Sequence, residues 1–264
     1  MTLPEWVPDG IEITVPNAAR AYDYALGGFH NFAVDREFVN RLEKLMPGIV
    51  EGGHATRAFV GRSVRWLVAQ GIRQFLDIGS GIPTLGNVHE VAQAAAPESR
   101  VVYVDIDPIA VAHSKAMLAD NPLAEVIRAD LRDPGDILNH EDVLRLLDFS
   151  QPVAVLLNAV LHFVPRSADL PSKLDQIRDA LVKGSYLTIT HVTKLEDRSA
   201  ELDNVAQMYE DTPTPATYRD RDEVRELVGD MEIVEPGIVD VTAWHPDSAD
   251  DDEWPYVLAV VARK

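Results

Sequence analysis

Five short apolar runs constrain this chain more than any other feature. They occupy residues 74–78, 101–105, 125–129, 152–158 and 185–190, and β-branched side chains are frequent in them. Runs of this length with so little polar alternation read as strands buried on both faces, the kind used in parallel sheets. Between them lie helical periods: Val88, Val91, Ala92 and Ala95; then Ile137, Glu141, Leu144 and Leu147; then Leu174, Ile177 and Leu181. Strands alternating with helices of this size predict a doubly wound α/β fold. Two amphipathic helices precede the first strand. One carries Phe38, Val39, Leu42, Leu45 and Met46 on one side and stops before Pro47-Gly48; the other carries Phe59, Val60, Val64, Leu67 and Val68 and ends at Gly71. After the fifth strand, residues 219–228 read as a helix. Residues 232–243 and 256–262 read as a β-hairpin that closes the sheet with an antiparallel edge, kinked or bulged at Pro236-Gly237. The expected architecture is a mostly parallel seven-stranded sheet in one compact unit, residues 71–264, with residues 1–70 as a helical cap.

Composition removes several chemistries. The 264 residues include no cysteine, which excludes disulfide scaffolds, thiolate zinc sites, iron–sulfur clusters and cysteine nucleophiles. A net charge of −19 argues against nucleic-acid or anionic-membrane partners, since both need a positive surface. The first ten residues lack the basic start and apolar run of a signal peptide, and no stretch has the length of a membrane span. A cytoplasmic protein is therefore the expectation, with the acidic run 247–253 as a solvated loop.

The segment Phe75-Leu-Asp-Ile-Gly-Ser-Gly-Ile-Pro-Thr84 says most about function. A buried strand carries Asp77 near its end, Gly79, Ser80 and Gly81 form a tight turn, and a helix begins near Thr84 or Asn87, with Asn87 and Glu90 at capping-box spacing. Glycines there let backbone N–H groups approach a ligand, and such turns hold nucleotides and adenosine-containing cofactors at the carboxyl ends of strands. A dinucleotide site needs a third glycine where Thr84 stands, and no P-loop sequence is present. A carboxylate two residues before the first glycine suits S-adenosylmethionine instead, which has no pyrophosphate but carries an ammonium and a sulfonium. A plain strand–helix turn is the bland alternative.

The following strands add polar tips. Asp105 ends the second, placed to accept both ribose hydroxyls, with Ile106 and Asp107 beside it; Asp107 serves equally well as the cap of a helix that starts at Pro108. Asp130 follows the third strand and suits the adenine amino group, with Leu131 against the ring. Asn158 ends the fourth. Four such tips make one constellation.

These residues resemble class I S-adenosylmethionine-dependent methyltransferases, a Rossmann-like fold. More narrowly, the chain resembles an actinobacterial S-adenosyl methyltransferase family formerly listed as a domain of unknown function. The segments that carry the resemblance are Pro16-Asn-Ala-Ala-Arg20, Tyr22-Asp-Tyr-Ala-Leu-Gly-Gly28, Asn31-Phe32, Asp35-Arg36, residues 74–84, Val102-Tyr-Val-Asp-Ile-Asp-Pro108, Leu161-His-Phe-Val164 and Gly184-Ser-Tyr-Leu187. It covers nearly the whole chain from about residue 14. Thr56 stands where many relatives have Asn, and Pro83 occupies the region of the usual third glycine. The turn is also similar to that of the leucine carboxyl methyltransferases, which implies an arginine on the preceding helix for the cofactor carboxylate. Arg57 fits that spacing best and Arg62 second.

The N-terminal motif also stands on its own residues. Asn17, Arg20, Tyr22, Tyr24 and Asn31 are polar and aromatic beyond the needs of a leader, and Gly27-Gly28 permits a sharp turn between helices. Such a segment suits a lid over the cofactor, with Tyr22 or Tyr24 facing it, or else a cap that only packs on the sheet. Methyl transfer needs in-line positioning and, for some acceptors, a base. His162 and His191 follow the fourth and fifth strands and are the base candidates, His162 first; His30, His54 and His89 rank lower, and no metal is expected. The segment 194–221, with Met208, Tyr209, Tyr218 and Thr212-Pro-Thr-Pro215, is the expected substrate cover. Its acids Glu196, Asp197, Glu201, Asp203, Glu210 and Asp211 favour a neutral or cationic acceptor. The expected activity is methylation of a small molecule, at oxygen, with S-adenosylhomocysteine as product. A non-catalytic S-adenosylmethionine sensor is the alternative, and a nicotinamide oxidoreductase is disfavoured by Thr84.

Overall fold

The buried runs pair side by side as parallel strands, and the helical periods become their crossovers. The computed structural model describes residues 12–84, 86–193, 199–210, 212–247, 254 and 256–264. Three helices lead: α1 (Ala18–Ala25), α2 (Ala33–Leu45) and α3 (Ile49–Ala69). There follow β1 (Gln74–Ile78), α4 (Val88–Ala95), β2 (Arg100–Asp105), α5 (Pro108–Leu118), β3 (Ala124–Arg128), α6 (Pro134–Leu138) and α7 (Glu141–Leu146). The second half holds β4 (Ala154–Asn158), α8 (Leu170–Ala180), β5 (Tyr186–Val192), α9 (Ser199–Glu210) and α10 (Arg221–Val228). It ends in β6 (Glu232–Ile233), β7 (Val239–Asp240) and β8 (Val257–Arg263).

The sheet runs β3-β2-β1-β4-β5-β8-β6, with β7 beside β6 on the outer edge of β8. β1 to β5 are parallel, and β8 is antiparallel to β5 and to both short edge strands. Counting β6 and β7 as one interrupted edge gives seven positions. The last strand is thus inserted inside the sheet, and the expected outer strand is broken where Gly237 takes a φ of +100°. Sheet order reverses between β1 and β4, which opens a crevice at the carboxyl ends of these strands.

Alternation along each strand builds two layers. Leu76, Ile78, Val102, Val104, Val155 and Leu157 point to one face and pack under Ile137, Val143, Leu174, Ile177 and Leu227 from α6, α7, α8 and α10. Phe75, Val101, Tyr103, Ala154 and Leu156 point to the other, under Phe59, Val64, Leu67, Val88, Ala92, Val111 and Leu118 from α3, α4 and α5. Asp77 shares the face of Phe75 by the same alternation, and Asp105 that of Tyr103. Both carboxylates therefore emerge toward α3.

A third apolar cluster joins Ala21, Phe38, Val39, Leu42 and Met46 of the leading segment to Leu202 and Val205 of α9 and to Tyr256. Helices α1, α2 and α9 thus pack on one another above the strand ends, whereas α3 belongs to the sheet core. Asn17 caps α1, accepting from the N–H groups of Ala19 and Arg20. The buried pair Arg20–Asp35, at 3.0 Å, ties α1 to the start of α2. Two apolar positions differ from expectation: Leu45 is 38% and Leu144 54% exposed. The helical period through Leu144 is broken because Asn139 ends α6 and the His140 ring caps α7, accepting from the N–H of Asp142, so the two short helices do not share one face. Arg219 lies before α10, which Asp220 caps. No helix among the described residues is long and apolar enough to cross a membrane. The readings made on residues 1–10, on Lys194, Glu196, Asp197 and Asp211, and on most of the acidic run 247–253 lie outside the described residues.

Candidate active site

The strand ends, the glycine turn and the three covering helices enclose one cavity of about 490 Å³. Its floor is polar. Gly79 and Gly81 take φ of +76° and +68°, in the left-handed region. The N–H groups of Gly79 and Ser80 both donate to the carbonyl of Val104, which pins the turn to β2. A Cβ on Gly79 would sit 2.3 Å from a methyl carbon of Val160, so only glycine fits there. Gly81 has open space on that side, and the Ser80 hydroxyl is buried with no hydrogen-bond partner among the described residues.

Asp105 organises the turn from the neighbouring strand. Its carboxylate accepts from the N–H of Gly81 at 2.7 Å and from the N–H of Asp107 at 2.8 Å. Burial nevertheless pushes its pKa up to about 6. Burial pushes Asp77 up to about 7; the Arg57 guanidinium opposes that shift and the Asp105 charge adds to it. Two carboxylates on neighbouring strands, both difficult to ionise, create a strong demand for a cation between or beside them. Arg57 reaches over this face from α3 and donates to the Asn87 side chain at 3.0 Å. Asn87 caps α4 in a capping box with Glu90. Arg62, the second arginine considered, is buried and donates to the carbonyls of Val241 and Trp244; it is a structural clamp.

The remaining expected residues divide as follows. Asp107 lines the cavity and also caps α5, accepting from the N–H groups of Ile109 and Ala110, so the capping reading holds. Ile106, half exposed, and Leu131, buried in the core, line the same wall. Asp130 is there too, in an ion pair with Arg132 at 2.5 Å; burial raises its pKa, but Arg132 outweighs this and holds it below the usual range. Asn158 contacts Thr188 at the end of β4, and the next residue, Ala159, takes a φ of +54°, a strained conformation for alanine at the cavity wall. Tyr22 lines the cavity, donates its hydroxyl to the carbonyl of Gly53 and is pushed up to about 12 by burial. Tyr24 lies on the other side of α1, its hydroxyl 3.5 Å from Asn40, and is not among the lining residues.

His162 is buried at the opposite wall, in a single turn of 3-10 helix, Leu161–Phe163, with its Nδ1 unpartnered among the described residues. Burial holds its pKa well below the usual value, and His191 and Arg219 add to this. His191 is a different group. Arg219 Nη1 lies 3.1 Å from its Nε2, and arginine can only donate, so Nε2 accepts and Nδ1 carries the hydrogen that goes to the carbonyl of Val192. Burial pushes the His191 pKa down to about 4, but it is the engaged lone pair, which His162 does not share at Nδ1, that makes His191 no base for a substrate. Arg219 also donates to the carbonyls of Leu161 and Val164, so one buried arginine fixes the turn that carries His162. Thr214 belongs to the expected substrate cover, whereas sequence reasoning gave Arg219 and Phe163 no role in the site. Nothing local distinguishes them, because the contacts span up to 58 residues. His89 is bonded to the Tyr103 hydroxyl inside the fold.

A family model described as S-adenosyl methyltransferase matches residues 4–264. A presumed methyltransferase of Thermobifida fusca YX superposes with a TM-score of 0.93 at 39% identity, covering 99% of both chains. A DUF574 family protein of Streptomyces avermitilis superposes with a TM-score of 0.90 at 38% identity, covering 96% of this chain and 98% of its own. Human N-acetylserotonin methyltransferase, solved with S-adenosylmethionine, shares the fold at a TM-score of 0.51 and 16% identity, over 92% of this chain and 62% of its own. A search of the curated proteins finds no match.

Proposed function

The chain belongs to the S-adenosyl methyltransferase family and is an S-adenosylmethionine-dependent methyltransferase; from that premise we propose that it methylates a small molecule at a hydroxyl oxygen. The observation that carries the cofactor placement is the pair of buried carboxylates, Asp77 and Asp105, raised to about 7 and about 6 where the glycine turn opens on the cavity. Such a pair fits a ligand that brings positive charge and a ribose diol. The open side of Gly81 and the unpartnered Ser80 hydroxyl leave room and hydrogen-bonding capacity beside it.

In this reading Asp105 accepts the ribose hydroxyls, and Asp77 balances the positive charge of the methionyl part. Arg57 holds its carboxylate. Asp130 takes the adenine amino group, and Ile106 and Leu131 flank the ring. Gly79, Ser80 and Gly81 shape the cradle, while Asp107 and Asn158 hold the strand ends on either side. Helices α1 and α2 act as a lid, with Tyr22 on its inner face, and exclude water. Bound S-adenosylmethionine supplies a methyl group already activated by the sulfonium. His162 presents a neutral ring and takes the acceptor hydroxyl proton as the oxygen–methyl bond forms and the sulfur–methyl bond breaks. The products are the methyl ether, S-adenosylhomocysteine and one proton passed on to solvent.

The test uses the protein and S-adenosylmethionine labelled in its methyl group, incubated with a metabolite extract. Label should enter a small neutral product. His162→Ala should lower kcat by roughly 100-fold, the low end for loss of a general base, and leave S-adenosylhomocysteine affinity unchanged in calorimetry. Undiminished turnover in that variant would remove His162 from the mechanism.

A further inference from the structure

The half of the cavity away from the carboxylates has a different chemistry. On α9, Leu202, Val205 and Tyr209 fall on one helical face and line it. Val39 and Leu42 of α2 line it from the lid, and Phe163 from the turn that holds His162. The rings of Phe163 and Tyr209 have centroids 5.7 Å apart at 49°, and burial lifts the Tyr209 hydroxyl pKa to about 12. The acids Glu201, Asp203 and Glu210 of α9 are all exposed, and none of them lines the cavity. Among the described lining residues every charged one, Arg57, Asp77, Asp105, Asp107, Asp130 and Arg132, belongs to the strand-end half. Two polar atoms interrupt the apolar half. The Nδ1 of His162, a side chain 7% exposed, and the Thr214 hydroxyl are buried without a hydrogen-bond partner among the described residues.

We infer that the acceptor is an uncharged, compact aromatic alcohol. Its ring packs against the Phe163–Tyr209 pair, across from the apolar face of α2, and its hydroxyl satisfies His162. This rests on the methyltransferase reading above and gives that site its substrate class. The physical case is one of exclusion and of fit. A carboxylate, phosphate or ammonium placed in this half would be desolvated with no counter-charge on the lining, because Arg219 behind the His162 turn is already committed to two carbonyls and His191. A flat ring gains apolar burial and edge or offset contact with two aromatic walls. A hydroxyl is the complement that the orphaned Nδ1 of His162 requires. A cavity of about 490 Å³ that also takes the adenosyl group limits the acceptor to a compact molecule.

Calorimetry on the protein saturated with S-adenosylhomocysteine tests this at pH 7. The probes are phenol and 2-naphthol, with 2-naphthoate and 2-naphthylmethylammonium as charged counterparts. At least one uncharged phenol should bind, and the charged naphthalenes should bind at least about tenfold more weakly. Tyr209→Phe should keep the phenol affinity within about twofold and Tyr209→Ala should lower it at least about tenfold, because the ring rather than the hydroxyl forms the wall. S-adenosylhomocysteine affinity should be the same in all three proteins. If Tyr209→Ala loses S-adenosylhomocysteine as well, Phe163→Leu replaces it under the same criteria. Binding of neither phenol, equal binding of a charged probe, or no loss in the wall variant overturns the inference while leaving the cofactor site intact. Failure of the wild-type protein to bind S-adenosylhomocysteine overturns the proposed function, and this inference with it.

Discussion

Asp77 is a carboxyl group that its surroundings keep from ionising fully at neutral pH, since burial lifts it to about 7. The ligand's ammonium, set against Asp77, reverses that balance, so binding should release a proton from the Asp77–Asp105 pair. The sign is definite: protonated Asp77 has no charge to offer, and affinity must fall as pH drops below about 7. At the limit the fall is about tenfold per pH unit. S-adenosylhomocysteine titrated by calorimetry between pH 5.5 and 8 should show this slope, and Asp77→Asn should flatten it. A slope that persists in Asp77→Asn would assign the titration elsewhere. Asp105→Asn removes the charge and replaces one of the two acceptor oxygens, each of which holds a backbone N–H, by a donor. Losing a charge-assisted hydrogen bond costs about 1.5–3 kcal/mol, so affinity should fall roughly 10- to 100-fold; unchanged affinity would mean that Asp105 does not face the ligand. Both acids were legible in the sequence because the tip of an apolar run is a local signal. The choice between Tyr22 and Tyr24 was not. Two residues on a helix point about 200° apart, and only the packing of α1 on α2 and α9 decides which one faces inward. Arg219 was equally hidden, since it acts through carbonyls and a histidine far away in the chain.

At the scale of elements, the turn between β1 and α4 leaves little room for substitution. Gly79 and Gly81 both take positive φ, but only Gly79 has a neighbour against it. Gly81→Ala should therefore cost about 1–2 kcal/mol, the penalty of the left-handed conformation. Gly79→Ala should cost a further 1–3 kcal/mol or so for overpacking against Val160. Urea unfolding measures both, and Val160→Gly, which removes the methyl groups and the Cβ that would lie 2.5 Å away, should recover part of the loss in Gly79→Ala but none in Gly81→Ala. Additive effects in both pairs would mean that the Val160 contact is not what excludes a side chain. The strands themselves were plain in the sequence, because a strand buried on both faces writes its own apolar run. Helices α6 and α7 were misread as one, because an apolar residue such as Leu144 fits a period whether or not its side chain is covered. The place of β8 between β5 and the edge was also invisible. Pairing order is set by how the chain returns across the sheet, which no local pattern records.

The whole molecule is organised around a cavity that no single layer owns. Its walls come from the strand ends, from α3 in one core layer, and from the α1–α2–α9 cluster, which packs apart from the sheet cores. A ligand there bridges parts that otherwise meet only at their margins, so occupancy should appear as global stability. Binding to the native state alone adds about 2.7 kcal/mol at a ligand concentration 100 times Kd. For a chain of 264 residues that corresponds to a Tm rise of roughly 5–10 °C, at about 2–4 °C per kcal/mol. The difference between loaded and empty protein also cancels titrations remote from the ligand, such as that of buried His191, and leaves those of groups facing it. Asp77 and Asp105 carry raised pKa values in the empty protein and so favour it at low pH; the ligand's ammonium and ribose hydroxyls stabilise their charged forms and favour the loaded protein at high pH. At one fixed concentration of S-adenosylhomocysteine the Tm rise should therefore be larger at pH 8 than at pH 5.5, and Asp77→Asn should narrow that gap. A rise of equal size at both pH values would show that the carboxylate pair does not answer to the ligand's charge. No rise at either would show that the cavity does not bind it.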